Sequence, residues 1–249
     1  MSRSKSPAAQ RFLAHLRRAR ELHSEVIAEG GLGPQHEVLS RWQSQRLAST
    51  YTDLASQRRY EKAIDFFLTD LYGTEDFTQR DADLERIYPI IVRALSENAL
   101  ESLALAVELH ALTRELDSEL VQALQRKQID ITRHPDALDQ AIYAQAYRDC
   151  DNRDLRLRQI ELIQETGEML DEVVGHPLIF FTVRLVRAPA HAAGLGELQK
   201  FIERGLGAFK QMKGATHFLQ TIHNREMFIL KEILSGGPLS DWSADAFND

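Results

Sequence analysis

Cysteine and long apolar runs are both scarce in this chain. A single cysteine, Cys150, occurs among 249 residues, which excludes an intramolecular disulfide framework, a Cys-ligated zinc finger and a Cys-ligated iron–sulfur cluster. No apolar run approaches the roughly 18 residues of a membrane span. The basic N-terminal residues lack the apolar segment of a signal peptide. We therefore expect a cytoplasmic protein that does not insert into a membrane.

Catalytic motifs are also missing. We find no His-Glu-x-x-His, no Glu-x-x-His and no Gly-x-Ser-x-Gly pattern. Gly194-Leu195-Gly196 lacks the third glycine of a dinucleotide fingerprint. Cys150 stands between Asp149 and Asp151, and acids beside a thiol disfavour its use as a nucleophile. We predict no catalytic residue, no metal and no cofactor, and whether the protein is an enzyme stays open.

The charge balance argues against nucleic acid as a partner. The formal net charge is −7, whereas phosphate contacts need a concentrated basic surface.

Hydrophobic residues recur at helical spacing in every long window, and two-residue alternation is absent. The sequence thus predicts an all-α fold, a single compact domain of about eight to ten helices over residues 1–235. The Gly236-Gly237-Pro238 stop then begins a polar C-terminal tail, residues 236–249, that we expect to be loose.

Proline and glycine predict where helices begin, end and approach one another. Pro7 starts the first helix, and Gly175-His176-Pro177 ends one helix and begins the next. The segment from Pro177 to Arg187 is apolar nearly all round, so we expect it to be the central helix, with Pro189 restarting the chain. Gly167 lies in an apolar stripe and permits close helix packing.

An acidic, turn-forming segment, here called the acidic bridge, runs from Asp65 to Arg86. It contains seven acids and two bases between two apolar helical stripes that include Tyr60, Ile64, Phe67 and Leu71. Asp76, Asp81 and Asp83 are candidate oxygen ligands for a hard cation, but the spacing of a calcium loop is missing. Capping of helix amides is the favoured interpretation of these acids.

Two arginines, Arg184 and Arg187, lie three residues apart on the apolar helix and so share a face. Buried guanidinium groups need carboxylate partners. We predict that at least one of them pairs with an acid of the acidic bridge. The alternative is a clamp for an anionic ligand. The candidate ligand-binding residues are then Arg184, Arg187, Asp70, Asp76, Asp81, Tyr72 and Tyr88.

The heptapeptide Phe66 to Tyr72, FFLTDLY, resembles the signature of a bacterial group, the FFLEELY-motif proteins. The residues that follow, YGTEDFTQRDADLERIYP, are also similar to that group. The name motif has glutamate at the positions of Thr69 and Asp70. Asp70 keeps a carboxylate and Thr69 does not, so a role of the first glutamate does not carry over. The resemblance implies a family-specific helical fold and transfers no catalytic residue.

Two functions remain as alternatives. The first is a non-enzymatic helical protein that binds a partner protein, which fits the missing motifs and the amphipathic helices. The second is a small-molecule or cofactor binder, with the arginine pair as its anion site. A pocket of several hundred cubic ångströms would favour the second, and an exposed apolar patch would favour the first.

Overall fold

The computed structural model describes residues 6–28, 33–71, 83, 86–89, 92 and 97–247. Within these ranges every regular element is helical, which confirms the all-α class. The α-helices are α1 (Pro7–Ala28), α2 (Pro34–Thr50), α3 (Thr52–Ala55), α4 (Glu61–Phe66), α5 (Glu97–Arg126), α6 (Gln140–Asp149), α7 (Arg153–Gly175), α8 (Ile179–Ala192), α9 (Gly196–Met212) and α10 (Thr216–Ser235). A π-helix (Phe67–Leu71) follows α4, and 3₁₀ turns occupy Pro135–Ala137 and Ala244–Phe247. No helix in these ranges is long and apolar enough to cross a membrane.

Most helix ends lie where the sequence predicts them. Pro7 and Pro34 open α1 and α2, because proline suits the first turn of a helix. The Asp139 carboxylate accepts a hydrogen bond from the Ile142 amide at 2.8 Å and caps α6. Gly236 ends α10 in the left-handed conformation (φ 69°) that glycine adopts without strain. The stretch between the π-helix and α5, residues 72–96, lies largely outside the described residues.

Two apolar clusters form the main core. The first joins α2, α4, the π-helix, α9 and α10, and it buries Tyr60, Ile64 and Phe67 as predicted. The Leu71 side chain lies outside the described residues. The second joins α2, α5, α6 and α10 around Leu120, Leu124 and Tyr143. α7 packs against α10 where a side chain at Gly167 would meet Leu219 at 2.3 Å, which confirms the predicted close approach.

The C-terminal tail packs against the core, contrary to the expectation that it is loose. Trp242 is only 3% exposed, and its indole Nε1 donates to Glu232 Oε2 at 2.9 Å. The Thr50 hydroxyl donates to the Trp242 carbonyl at 2.7 Å. A tryptophan ring stabilises the fold by burial when its N–H finds an acceptor. Here α10 supplies the acceptor of the indole N–H, and α2 supplies the donor to the Trp242 carbonyl.

The apolar helix α8 is not central. No α8 side chain that the structure describes is buried, and Phe181 and Leu185 are both 65% exposed. α8 rests on a polar strip of α9, because Gln199 donates to the Val183 carbonyl at 2.9 Å. The helix also continues through Pro189 to Ala192 rather than restarting there. The hydrogen bond that proline removes belongs to the Leu185 carbonyl, on an exposed residue that water can reach.

Candidate functional site

The predicted ligand-binding residues do not form one site. Tyr72, Asp76 and Asp81 lie outside the described residues. Tyr88 stacks on Phe12 with ring centroids 5.6 Å apart, and its hydroxyl donates to the Ala9 carbonyl at 3.2 Å. Tyr88 therefore holds α1 in place.

Arg184 and Arg187 are exposed, contrary to the expectation that they are buried. The Arg187 Nε donates to Glu203 Oε1 at 2.7 Å, and this bond lowers the pKa of Glu203 and raises the pKa of Arg187. Arg184 makes no ion pair within the ranges that the structure describes. Neither arginine pairs with a described acid of the acidic bridge. The prediction is wrong for this part because α8 lies against α9, which supplies its own acid.

A different arginine binds the described acids of the acidic bridge. The Arg204 Nη2 lies 2.9 Å from Asp70 Oδ2, 3.1 Å from Asp65 Oδ2 and 2.9 Å from the Thr69 hydroxyl. The Asp70 side chain is only 9% exposed. The sequence signal for this contact is Gly205, because only a residue without a side chain lets α9 approach Phe66 so closely (3.0 Å from a built Cβ).

The outer face of α8 presents an apolar stripe at helical spacing, here called the α8 surface. It consists of Leu178, Phe181, Leu185, Ala188 and Ala192, all exposed. The most exposed of its large side chains is Leu178, at 72%. Arg184 borders this stripe. Among the α-helices of the described residues, α8 is the one without an aspartate or glutamate, although the chain as a whole is acidic.

A small polar cavity lies between α2, α5, α6, α7 and α10. Its volume is about 40 Å³, far below the several hundred cubic ångströms of a drug-sized ligand site. Its polar lining includes Gln43, Arg46, Asp117, Tyr143, Arg156 and Glu226. No histidine, serine or cysteine lines it, so the cavity offers no pair of nucleophile and imidazole base.

Arg46 is the paired cation of this cavity. Its Nη1 lies 2.5 Å from Glu226 Oε1, and the Tyr51 hydroxyl donates to the same oxygen at 2.7 Å. Burial alone would lower the pKa of Arg46, but Glu226 together with Tyr143 and Tyr51 outweighs burial and the pKa is raised. This side of the cavity is therefore electrically balanced.

Arg156 is the cation without a carboxylate partner. It is 3% exposed, its Nη2 donates to the Leu116 carbonyl at 3.2 Å, and its guanidinium lies 4.1 Å from the centroid of the Tyr147 ring. Its Nε is buried without a hydrogen-bond partner. The sequence signal was present, because Arg156 stands four and seven residues before Ile160 and Ile163 of the predicted core stripe.

Asp117 is the acid that shares the cavity with Arg156. Gln43 donates to its Oδ1 at 2.9 Å. Burial raises the pKa of Asp117, although Gln43, Arg156 and Arg114 act in the opposite direction. Burial also raises the pKa of Tyr147, so its hydroxyl stays protonated. The cavity thus offers donors around a carboxyl whose charge is disfavoured.

Within the described residues, no group of three histidine, cysteine, aspartate or glutamate side chains is arranged to hold a metal ion.

Among curated proteins no match to the chain was found, and among solved structures none was found either. A family model described as a domain of unknown function, DUF8198, matches residues 23–240. The match covers most of the chain and includes α2 to α10, the α8 surface and the polar cavity. The protein therefore belongs to the DUF8198 family.

Proposed function

We propose that this protein binds a partner protein through the α8 surface, and that the contacting segment of the partner is an acidic amphipathic helix. The observation that carries the proposal is the exposure of Leu178, Phe181 and Leu185 on one helical face, at 72%, 65% and 65%. Large apolar side chains that line up on a surface mark interaction sites more often than singly scattered ones do. Phenylalanine and leucine are suited to act as anchors in such a site.

Charge complementarity favours an acidic partner. α8 has no acid, and Arg184 is an exposed guanidinium beside Phe181 and Leu185. A carboxylate on the partner would pair with Arg184 at the edge of the apolar stripe, as rim charges do in helix-in-groove complexes.

An anionic membrane and a second copy of the chain fit less well. Arg187 already pairs with Glu203, and Lys210 lies 4.0 Å from the Phe180 ring centroid, whereas stable membrane binding needs several free basic groups. The net charge of −7 opposes approach to an anionic bilayer. A symmetric dimer through α8 would bring two Arg184 side chains together.

The resemblance of Phe66 to Tyr72 to the FFLEELY-motif group and the cytoplasmic location are further predictions. The pairing of Asp70 and Thr69 with Arg204 supports a structural role for this segment, since it fixes the π-helix to α9. The alternative function, binding of a small molecule by Arg184 and Arg187, has less support because both arginines are exposed and neither lines the polar cavity.

Photo-crosslinking in the native host tests the partner. A photoreactive phenylalanine analogue replaces Phe181 in one variant and Leu155, an exposed leucine on α7 (39%), in the control. We expect one major adduct at position 181 that maps to an acidic helical segment of another protein. Arg184→Glu and Leu185→Asp should each abolish this adduct, and position 155 should not give it.

Three results would contradict the proposal. An adduct pattern that is the same at positions 181 and 155 would show that the α8 surface has no preferred occupant. An adduct with the chain itself, with concentration-dependent dimerisation lost in Leu185→Asp, would make the surface a dimer interface. Cosedimentation with vesicles containing anionic lipid, lost in the same variant, would make it a membrane contact.

A further inference from the structure

The polar cavity contains a buried cation that forms no ion pair with a described residue. Arg156 is 3% exposed, and no carboxylate of the described residues lies within ion-pair distance of it. Its contacts are one carbonyl and one aromatic face. A guanidinium presents five N–H donors in a fixed plane, so the contacts formed in the protein leave part of this group unused.

The two carboxyl groups of the cavity make their hydrogen bonds to other residues and not to Arg156. Glu226 is occupied by Arg46 and by the Tyr51 hydroxyl. Asp117 accepts from Gln43, and its burial disfavours the carboxylate form. A buried charge without a partner is costly unless another group compensates it.

Two of the residues that line the cavity have an unpartnered donor. The buried Nε atoms of Arg46 and Arg156 both lack a hydrogen-bond acceptor, and both residues line the cavity with Tyr143 and Tyr147. A cavity of about 40 Å³ exceeds the roughly 10–15 Å³ that a cavity needs in order to hold one water molecule. A nucleotide or an organic cofactor is too large for it.

We propose that the polar cavity is a binding site for a small oxyanion, either tetrahedral like phosphate or planar like formate, held by Arg156 and Arg46. Oxyanions match the fork of donors that a guanidinium presents. The anion supplies the negative charge that Arg156 lacks and accepts from the two unpartnered Nε atoms. The site lies in the core between five helices, separate from the α8 surface, so its occupant stabilises the fold and leaves partner docking free.

Thermal unfolding and tryptophan fluorescence test the site in solution. Trp42 reports on it because its ring stacks on Tyr143, with centroids 4.3 Å apart. We expect phosphate or formate to raise the unfolding midpoint saturably, relative to chloride at equal ionic strength, since a ligand that binds only the folded state stabilises it. A response to phosphate alone identifies a tetrahedral ligand, and a response to formate alone identifies a carboxylate.

Substitution of the central arginine separates this site from surface effects. Arg156→Met should weaken the response at least about tenfold, which corresponds to about 1.4 kcal/mol. Arg153→Met removes an exposed arginine of the same helix and should leave the response unchanged. A response to the oxyanions no larger than to chloride in the unmodified protein, or one that Arg156→Met retains, would overturn the proposal.

A crystal grown with selenate tests the site without any variant, which keeps the proposal falsifiable if Arg156→Met does not fold. For a tetrahedral ligand we expect an anomalous peak within hydrogen-bond distance of the Arg156 guanidinium, and for a planar ligand we expect planar electron density at the same place in a second crystal, grown with formate. Water alone in the cavity of both crystals would contradict the assignment.

Discussion

The α8 surface and the polar cavity both depart from the usual arrangement of a folded protein. Apolar side chains are exposed on the α8 surface, and charged side chains are buried in the polar cavity. α8 exposes Leu178, Phe181 and Leu185, while Arg156 and Gln43, on α7 and α2, are buried. Hydropathy along one helix does not decide burial by itself, because burial also depends on the surface that neighbouring helices offer. α9 presents Gln199 and Glu203 to α8, and these polar groups bind α8 without covering its outer face.

The largest expected difference in the free energy of unfolding is between a buried aromatic residue of the apolar core, Phe67, and an exposed one of the α8 surface, Phe181. Phe67 is 6% exposed and meets Tyr51 edge-on, with centroids 6.4 Å apart. Phe67→Ala should cost about 3–5 kcal/mol of the free energy of unfolding, the usual cost of a large-to-small core change. Phe181→Ala should change it by no more than about 0.5 kcal/mol. Chemical denaturation measures both, and a cost below about 1 kcal/mol for Phe67→Ala would place that ring at the surface.

Removing the carboxylate of Asp53 and removing that of Asp117 should have opposite effects on the free energy of unfolding. Asp53 forms two hydrogen bonds to Arg225, at 2.7 and 2.8 Å, and Arg225 lowers its pKa. Asp53→Asn should therefore cost about 1–3 kcal/mol at pH 7, because it leaves Arg225 with a weakened counter-charge. Asp117 has a raised pKa, so Asp117→Asn should be neutral or stabilising.

The pH dependence of these two variants sharpens the comparison. A lowered folded pKa means that Asp53 contributes stability above about pH 4, its ordinary range, and that this contribution is lost as the pH falls through the folded value. A raised folded pKa means that Asp117 penalises the fold increasingly as the pH rises above about 4. Urea unfolding between pH 3 and pH 7 should show the cost of Asp53→Asn decrease towards the acid end of this range. A cost that is independent of pH would contradict the ion-pair account.

The smallest contrast concerns two arginine ion pairs that involve α9, one formed by its own Arg204 and one formed by Arg187 of α8 with Glu203. Arg204 contacts Asp65, Thr69 and the nearly buried Asp70, so Arg204→Met should cost about 1–2 kcal/mol, a value reduced by its own exposure of 46%. Arg187→Met breaks an exposed pair with Glu203 and should shift the unfolding midpoint less than Arg204→Met does. The reverse order would show that α8 is more tightly coupled to α9 than its contacts indicate.

The sequence predicts the fold better than the site because helix formation is a local property. Pro7, Gly167 and Gly236 each act through their own backbone geometry, and each has the predicted role. Tyr60 and Phe67 are buried because one apolar stripe on an amphipathic helix is enough to orient it.

Side-chain pairing depends on which helices become neighbours, and that is not local. The sequence predicts an arginine partner for the acidic bridge but selects Arg184 and Arg187 where the fold uses Arg204. α8 is apolar on both faces, so its pattern does not distinguish a central helix from a helix whose outer face is exposed. Arg156 stands at a core position of its helix, but only the packing of α2, α5 and α10 makes that position part of a polar cavity.

Native-state labelling of engineered cysteines tests the exposed apolar face most directly. In a Cys150→Ala background, which removes the natural cysteine, Leu185→Cys is compared with Leu162→Cys, a fully buried position on α7 (0%). We predict that a thiol reagent modifies position 185 at nearly the rate found in the unfolded chain and modifies position 162 only on global unfolding, at least about 100-fold more slowly. Equal protection at both positions in the purified protein would show that α8 is covered, and would contradict the proposal that it is a docking surface.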